Sequence, residues 1–141
     1  MMKNGYRRGI CIFLLLALVF SLTGCWRIRE KKYYSDINNF ITEEAVVDNI
    51  IYNEEQRYIV FWLAEIDPSY QATAFIIRSE NATLVLERGI LGKIRIGDTI
   101  TFTSAPGCYS NGYFMPIISI SVAGEVILDI NEGHQNLMNS Y

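Results

Sequence analysis

The side chains able to act as nucleophiles here are few: Cys11, Cys25 and Cys108, Ser110 close to the last of these, and His134, the single histidine. A thiol or hydroxyl attacks effectively when a base takes its proton, so Cys108 or Ser110 with His134 is the hydrolase-type arrangement this chain could build. Neither a Gly-x-Ser-x-Gly elbow nor a cysteine-hydrolase signature accompanies it, and His134 falls in a polar tail, residues 131–136, that reads as solvent-exposed. The paired carboxylates Glu43-Glu44 and Glu54-Glu55 are sequence neighbours. In an extended chain they point to opposite faces, so they read as solvated charge and not as an acid and base flanking one bond. Asp129-Ile130-Asn131-Glu132-Gly133 opens like a calcium loop, but its Gly comes at the fifth position and Ser140 stands where the closing Glu is required. One His and one free Cys do not make a zinc site of the usual kind. No metal and no cofactor is expected, and the chain reads as a non-enzyme.

Cys25 points to a different chemistry. Residues 1–9 hold Lys3, Arg7 and Arg8 and no acid; Ile10 to Leu22 is apolar apart from Ser21; Leu22-Thr23-Gly24-Cys25 then closes the run. That is the three-part layout of a secretory signal peptide. At about 1.5 Å per residue the run reaches roughly 20 Å, short of the roughly 30 Å hydrocarbon core of a bilayer. The four closing residues resemble the lipobox of bacterial lipoproteins. The resemblance implies that the Cys25 thiol carries diacylglycerol, that residues 1–24 are cleaved as a lipoprotein signal peptide, and that the mature chain begins at Cys25, anchored to the cell membrane on its extracytoplasmic face. Arg7-Arg8 lacks the flanking residues of a twin-arginine signal, so export as an unfolded chain is expected. Cys108 is then the one free thiol, and no disulfide within the mature chain is possible.

Charge is divided along the chain. Residues 25–141 carry nine Lys or Arg against 15 Asp or Glu, a net of −6; Arg27, Arg29, Lys31 and Lys32 cluster behind Cys25, leaving residues 33–141 at −9. Residues 25–39 thus read as a basic tether that supplements the lipid through anionic headgroups, and residues 40–141 as one acidic domain. Nucleic acid is excluded as a partner on electrostatic grounds, because its binding rests on cations neutralising phosphates.

The elements that must position any site are mostly strands. Phe40 to Tyr52 and Arg57 to Glu65 read as a hairpin across Asn53–Gln56, the second strand apolar on both faces. Ala72 to Arg78 reads as a third strand, followed between Ser79 and Ile96 by one short helix, capped by Ser79 or Asn81, that stacks Leu84, Leu91, Leu86, Ile90 and Ile94. Ile96 to Thr103 alternates as a fourth strand, Asn111-Gly112 turns the chain into a fifth strand from Tyr113 to Val122, and Val126 to Leu128 adds a further short one. A polar tail from Asn131 can add a helix. From Phe40 to Leu128 this order resembles the OB-fold-like domains of bacterial lipoproteins, with Lys93 to Phe102 similar to their Gly-Asp entry into strand four. The resemblance implies a mainly β fold, a small OB-like antiparallel β-barrel of five to six strands with one short helix between strands three and four. An open antiparallel sheet with a packed helix is the structural alternative.

OB folds hold ligands with one barrel face and the loops joining strands one to two and four to five. Here those loops are Asn53–Gln56, with Glu54 and Glu55, and residues 104–112. Tyr109, Asn111 and Tyr113 are therefore the candidate ligand-binding residues, although Tyr109 and Tyr113 can equally face each other as a cross-strand pair. The expectation is a noncatalytic, membrane-anchored module for a protein, peptide or envelope ligand. A surface hydrolase using Cys108 or Ser110 with His134 is the alternative.

Overall fold

The computed structural model describes Ile12, Ala17 and residues 24–70, 74–107 and 114–141. Residues 24–35 form helix α1, and a single 3₁₀ turn, Ile37–Asn39, capped by the Asp36 carboxylate accepting from the Asn38 N–H, turns the chain into the sheet. Six strands follow, β1 (Ile41–Asn53), β2 (Tyr58–Ala64), β3 (Ala74–Arg78), β4 (Thr99–Ser104), β5 (Met115–Val122) and β6 (Glu125–Leu128). Between β3 and β4 lie α2 (Ser79–Glu87) and α3 (Ile90–Lys93), and α4 (Ile130–Asn139) closes the chain. The fold is mainly β.

The sheet runs β3-β2-β1-β4-β5-β6, all neighbours antiparallel. Its long strand β1 serves two partners: residues 41–46 pair with β4 and residues 46–53 with β2. The register slips between Val47 and Asn49, and a bulge of this kind bends and twists a strand, which lets one strand turn from one partner to the other. At the same bend, Gly97 (φ +93) donates to the Val47 carbonyl at 2.7 Å and the Val47 N–H donates to Asp98 O at 2.9 Å. The Gly-Asp pair leading into β4 therefore fastens to β1 at its bend, in a left-handed conformation open to glycine at little cost. β3 also pairs with β5, in parallel, at Phe75↔Met115 and Ile76↔Pro116. Hydrogen bonding thus returns on itself through β1, β2, β3, β5 and β4, with β6 paired outside that ring to the far end of β5.

Alternation fills the interior. Ile59, Phe61 and Leu63 of β2 point inward with Phe75 and Ile77 of β3, Ile100 and Phe102 of β4 and Ile117 and Ile120 of β5, all buried. Phe75 meets Phe102 edge-on at 4.9 Å and Tyr70 at 5.0 Å. On the outer row of β2 Val60 is buried, while Tyr58 and Trp62 are half-buried.

The segment expected to form one helix is split. Gly89 at φ +77 ends the first stretch and caps the second, so Ala82, Val85, Ile90 and Ile94 reach the core while Leu91 faces solvent. Neither Ser79 nor Asn81 caps α2, whose N-cap is Arg78 with no side-chain capping bond. Asn81 is instead buried, its amide donating to Gly133 O (2.8 Å) and accepting from the Asn136 side chain (3.0 Å), which ties α2 to α4. The polar tail is likewise structural: Asp129 caps α4 by accepting from the Asn131 and Glu132 N–H groups, and Leu137 is buried. What opens like a calcium loop is a helix cap.

Candidate functional site

The packed body reaches further toward the N-terminus than a boundary at residue 40. Tyr34 is buried in a second cluster with Phe40, Ala105, Ile118 and Leu137, so α1 is docked on β5 and α4 and the basic segment is folded over much of its length. Polar contacts reinforce the docking. The Arg27 guanidinium donates to Ser140 O at 3.2 Å, Gly107 N–H to the Tyr33 hydroxyl at 3.0 Å, and the Asn39 amide to Tyr33 O at 2.7 Å. Behind them the Arg78 guanidinium donates to the Tyr141 hydroxyl at 2.9 Å, and that hydroxyl hydrogen-bonds the Glu30 carboxylate. Desolvation pushes the Glu30 carboxyl above its ordinary value, with Arg78 and the Tyr141 bond opposing.

His134, expected in solvent, is half-buried. Its Nε2 lies 2.7 Å from Tyr34 O, and because a carbonyl only accepts, the Nε2 tautomer carries the proton and donates it. Its ring stands edge-on to Phe40 at 5.6 Å. The histidine is therefore a clip between α4 and the end of α1.

Between α1 and the end of β4 opens a cleft of 710 Å³, within the range of small-ligand sites. Trp26, Tyr33 and Tyr34 supply its apolar surface, Arg29 and Lys32 its cations, and Gly107 its far wall. Arg29 lies over the Trp26 ring at 5.7 Å. A Cβ on Gly107 would come within 2.4 Å of the Tyr33 hydroxyl, so glycine is what lets the backbone approach this close. The arrangement can hold an amphipathic group by stacking and charge, through two cations, two carboxylates (Glu30, Asp36) and three aromatics, with Ser35 and Asn39 adding hydrogen-bonding groups.

Tyr109, Asn111 and Tyr113, with Cys108 and Ser110, lie outside the described residues, as do residues 1–11 of the signal segment and most of its apolar run. Gly107, where their loop departs, lines the cleft. Cys25 is exposed on α1. Glu54 and Glu55 are exposed, as is Glu44, but Glu43 is not simply solvated: its Oε2 accepts from the Asp67 N–H at 3.1 Å and its Oε1 is buried without a partner. Burial raises the Glu43 carboxyl above its usual range, and burial together with the Glu43 and Asp67 charges raises the Tyr70 phenol, which donates to Ser104 O at 3.3 Å. Among the described residues no three His, Cys, Asp or Glu side chains converge as a metal site would require, and no helix is long and apolar enough to cross a membrane. Trp26, Tyr33 and Tyr34 were missed as site residues because the basic run around them reads as a tether; the aromatic pair Tyr33-Tyr34 was the available signal.

No protein-family model, curated protein or solved structure matches this chain.

Proposed function

We propose that this chain is a lipoprotein, acylated at Cys25 and held on the extracytoplasmic face of the cell membrane, whose OB-like β-barrel is a noncatalytic module for a protein, peptide or envelope ligand. The observation that carries the reading is the joint placement of the cleft: it is bounded by the helix that bears Cys25 and by Gly107, the start of the β4–β5 loop. In an OB barrel that loop is a ligand-binding loop. The barrel is supported by the ring order β1-β2-β3-β5-β4 with its parallel β3–β5 closure and by helical chain between β3 and β4. The acidic body, −9 over residues 33–141, supports an occupant other than nucleic acid.

Two measurements test it. Growth on labelled palmitate should mark the wild-type chain, while Cys25→Ala stays unlabelled at the mass of the uncleaved precursor; a Cys25→Ala chain processed normally overturns the lipoprotein. A photo-crosslinking residue at Trp26 and another at Tyr109 should give the same adduct in membranes, and one at exposed Val126 should not. Ester or peptide hydrolysis that disappears in His134→Ala and in Cys108→Ala or Ser110→Ala, without loss of folding, would replace the binding module with a hydrolase.

A further inference from the structure

The two sides of α1 differ in a way its packing makes legible. Arg27, Glu30 and Tyr34, at i, i+3 and i+7, face the body: Arg27 bonds Ser140, Glu30 bonds Tyr141 and Tyr34 is buried. Cys25, Ile28 and Lys32 repeat the same spacing two residues earlier, and at about 100° per residue they lie about 200° away, on the opposite face. That face is open. Ile28 is 69% accessible, and Lys32 and Arg29 are exposed beside it; Trp26, 50% accessible, stands about 100° round from Cys25 on the flank that borders the cleft, and Lys31 is exposed on the other flank, while Glu30, the lone acid of the helix, is turned inward.

We propose that α1 is a clamp lying in the plane of an anionic bilayer surface, fixing the body at one orientation with the cleft mouth at headgroup level. The proposal rests on acylation of Cys25 and adds to it a fixed orientation where the sequence reads as a basic tether. A lipid surface fits this side of the helix because the face combines the attachment point of the acyl chains, an isolated large apolar residue and exposed cations, and its flank toward the cleft carries an indole suited to the water–hydrocarbon boundary. The acidic body does not compete for that surface. Arg29 and Lys32 belong both to the open side and to the cleft, so what enters the cleft does so beside the headgroups.

Trp26 reports the contact. In a Trp62→Phe background, the acylated full chain is placed in phosphatidylcholine vesicles with and without phosphatidylglycerol, carrying lipids brominated near the headgroup. Trp26 emission should be quenched in the anionic vesicles and about threefold less in the neutral ones. The combined variant Ile28→Asp, Lys31→Glu, Lys32→Glu, all at exposed positions, should keep its palmitate label and melting temperature and lose the quenching. A labelled wild-type chain whose Trp26 stays unquenched overturns the clamp and leaves the anchor standing. Quenching that survives the triple variant, or that ignores lipid charge, overturns this face as the contact. A wild-type chain without label removes the anchor and the clamp together.

Discussion

Glu43 shows how far a single residue can depart from its local pattern. Sequence alone places Glu43 and Glu44 on opposite sides of a strand and both in water; Glu44 is, but Glu43 folds against the Asp67 backbone and loses hydration. Because its folded pKa is raised, the folded state holds its proton more tightly than the unfolded chain, so this residue subtracts stability above the shifted value and nothing below the ordinary one, 4.5. Glu43→Gln, which mimics the protonated form, is therefore expected to melt higher than wild type at pH 7, and the difference should shrink to nothing as the pH falls through 4.5. Thermal melts of both proteins across that window check it; a variant less stable at pH 7 would mean the carboxylate is favoured in place. Asn81 and His134 make the same point, since their partners Gly133 and Tyr34 lie 52 and 100 residues away. No local spacing could announce them.

Elements were more legible than residues, for a physical reason. The strands carry two-residue alternation over the lengths that pair, so β1 to β5 stand close to where periodicity and turn residues put them, and the Gly-Asp entry to β4 is a fastening point on β1. Mid-strand Phe61 is buried as the apolar pattern implies. Phe61→Ala should cost about 3–5 kcal/mol, read from denaturant unfolding, and an unchanged midpoint would show that β2 is peripheral. Less legible were α1, masked by its basic charges, and the docking of α4, which depends on one glycine. A Cβ at Gly133 would sit 1.9 Å from Ile118 O of β5, a backbone atom that cannot step aside. Gly133→Ala gains about 1 kcal/mol of helix propensity but must push α4 off the sheet, an overpacking cost of about 1–3 kcal/mol or more, and it also strains the Asn81 bond to Gly133 O. The clash should win, giving a lower melting temperature than wild type; a higher one would place α4 elsewhere.

The described residues form a ring of strands with one core and a second, smaller cluster that fastens α1 and α4 to its outside. This division carries an expectation about cooperativity. Tyr34 is the largest side chain of the second cluster and the point where α1 meets β5 and α4. Truncating a buried aromatic to Ala costs about 3–5 kcal/mol, whereas each hydrogen bond that α1 keeps, among them those of Arg27 to Ser140, of Gly107 and Asn39 to Tyr33 and of His134 to the Tyr34 carbonyl, contributes about 0.5–1.5 kcal/mol. In Tyr34→Ala those bonds, already made in the wild type, do not replace the lost packing, while the ring keeps Phe61, Phe75 and Phe102 untouched. Undocking of α1 should therefore precede melting of the ring. Brief trypsin treatment is expected to cut this variant after Arg29, Lys31 or Lys32 and leave the strands as one protected fragment, at a protease level that spares the wild-type chain. Digestion of the strands at the same rate as the helix would show instead that the two clusters unfold as a single unit, and that the clip between Tyr34 and His134 holds the body together as well as the helix to it.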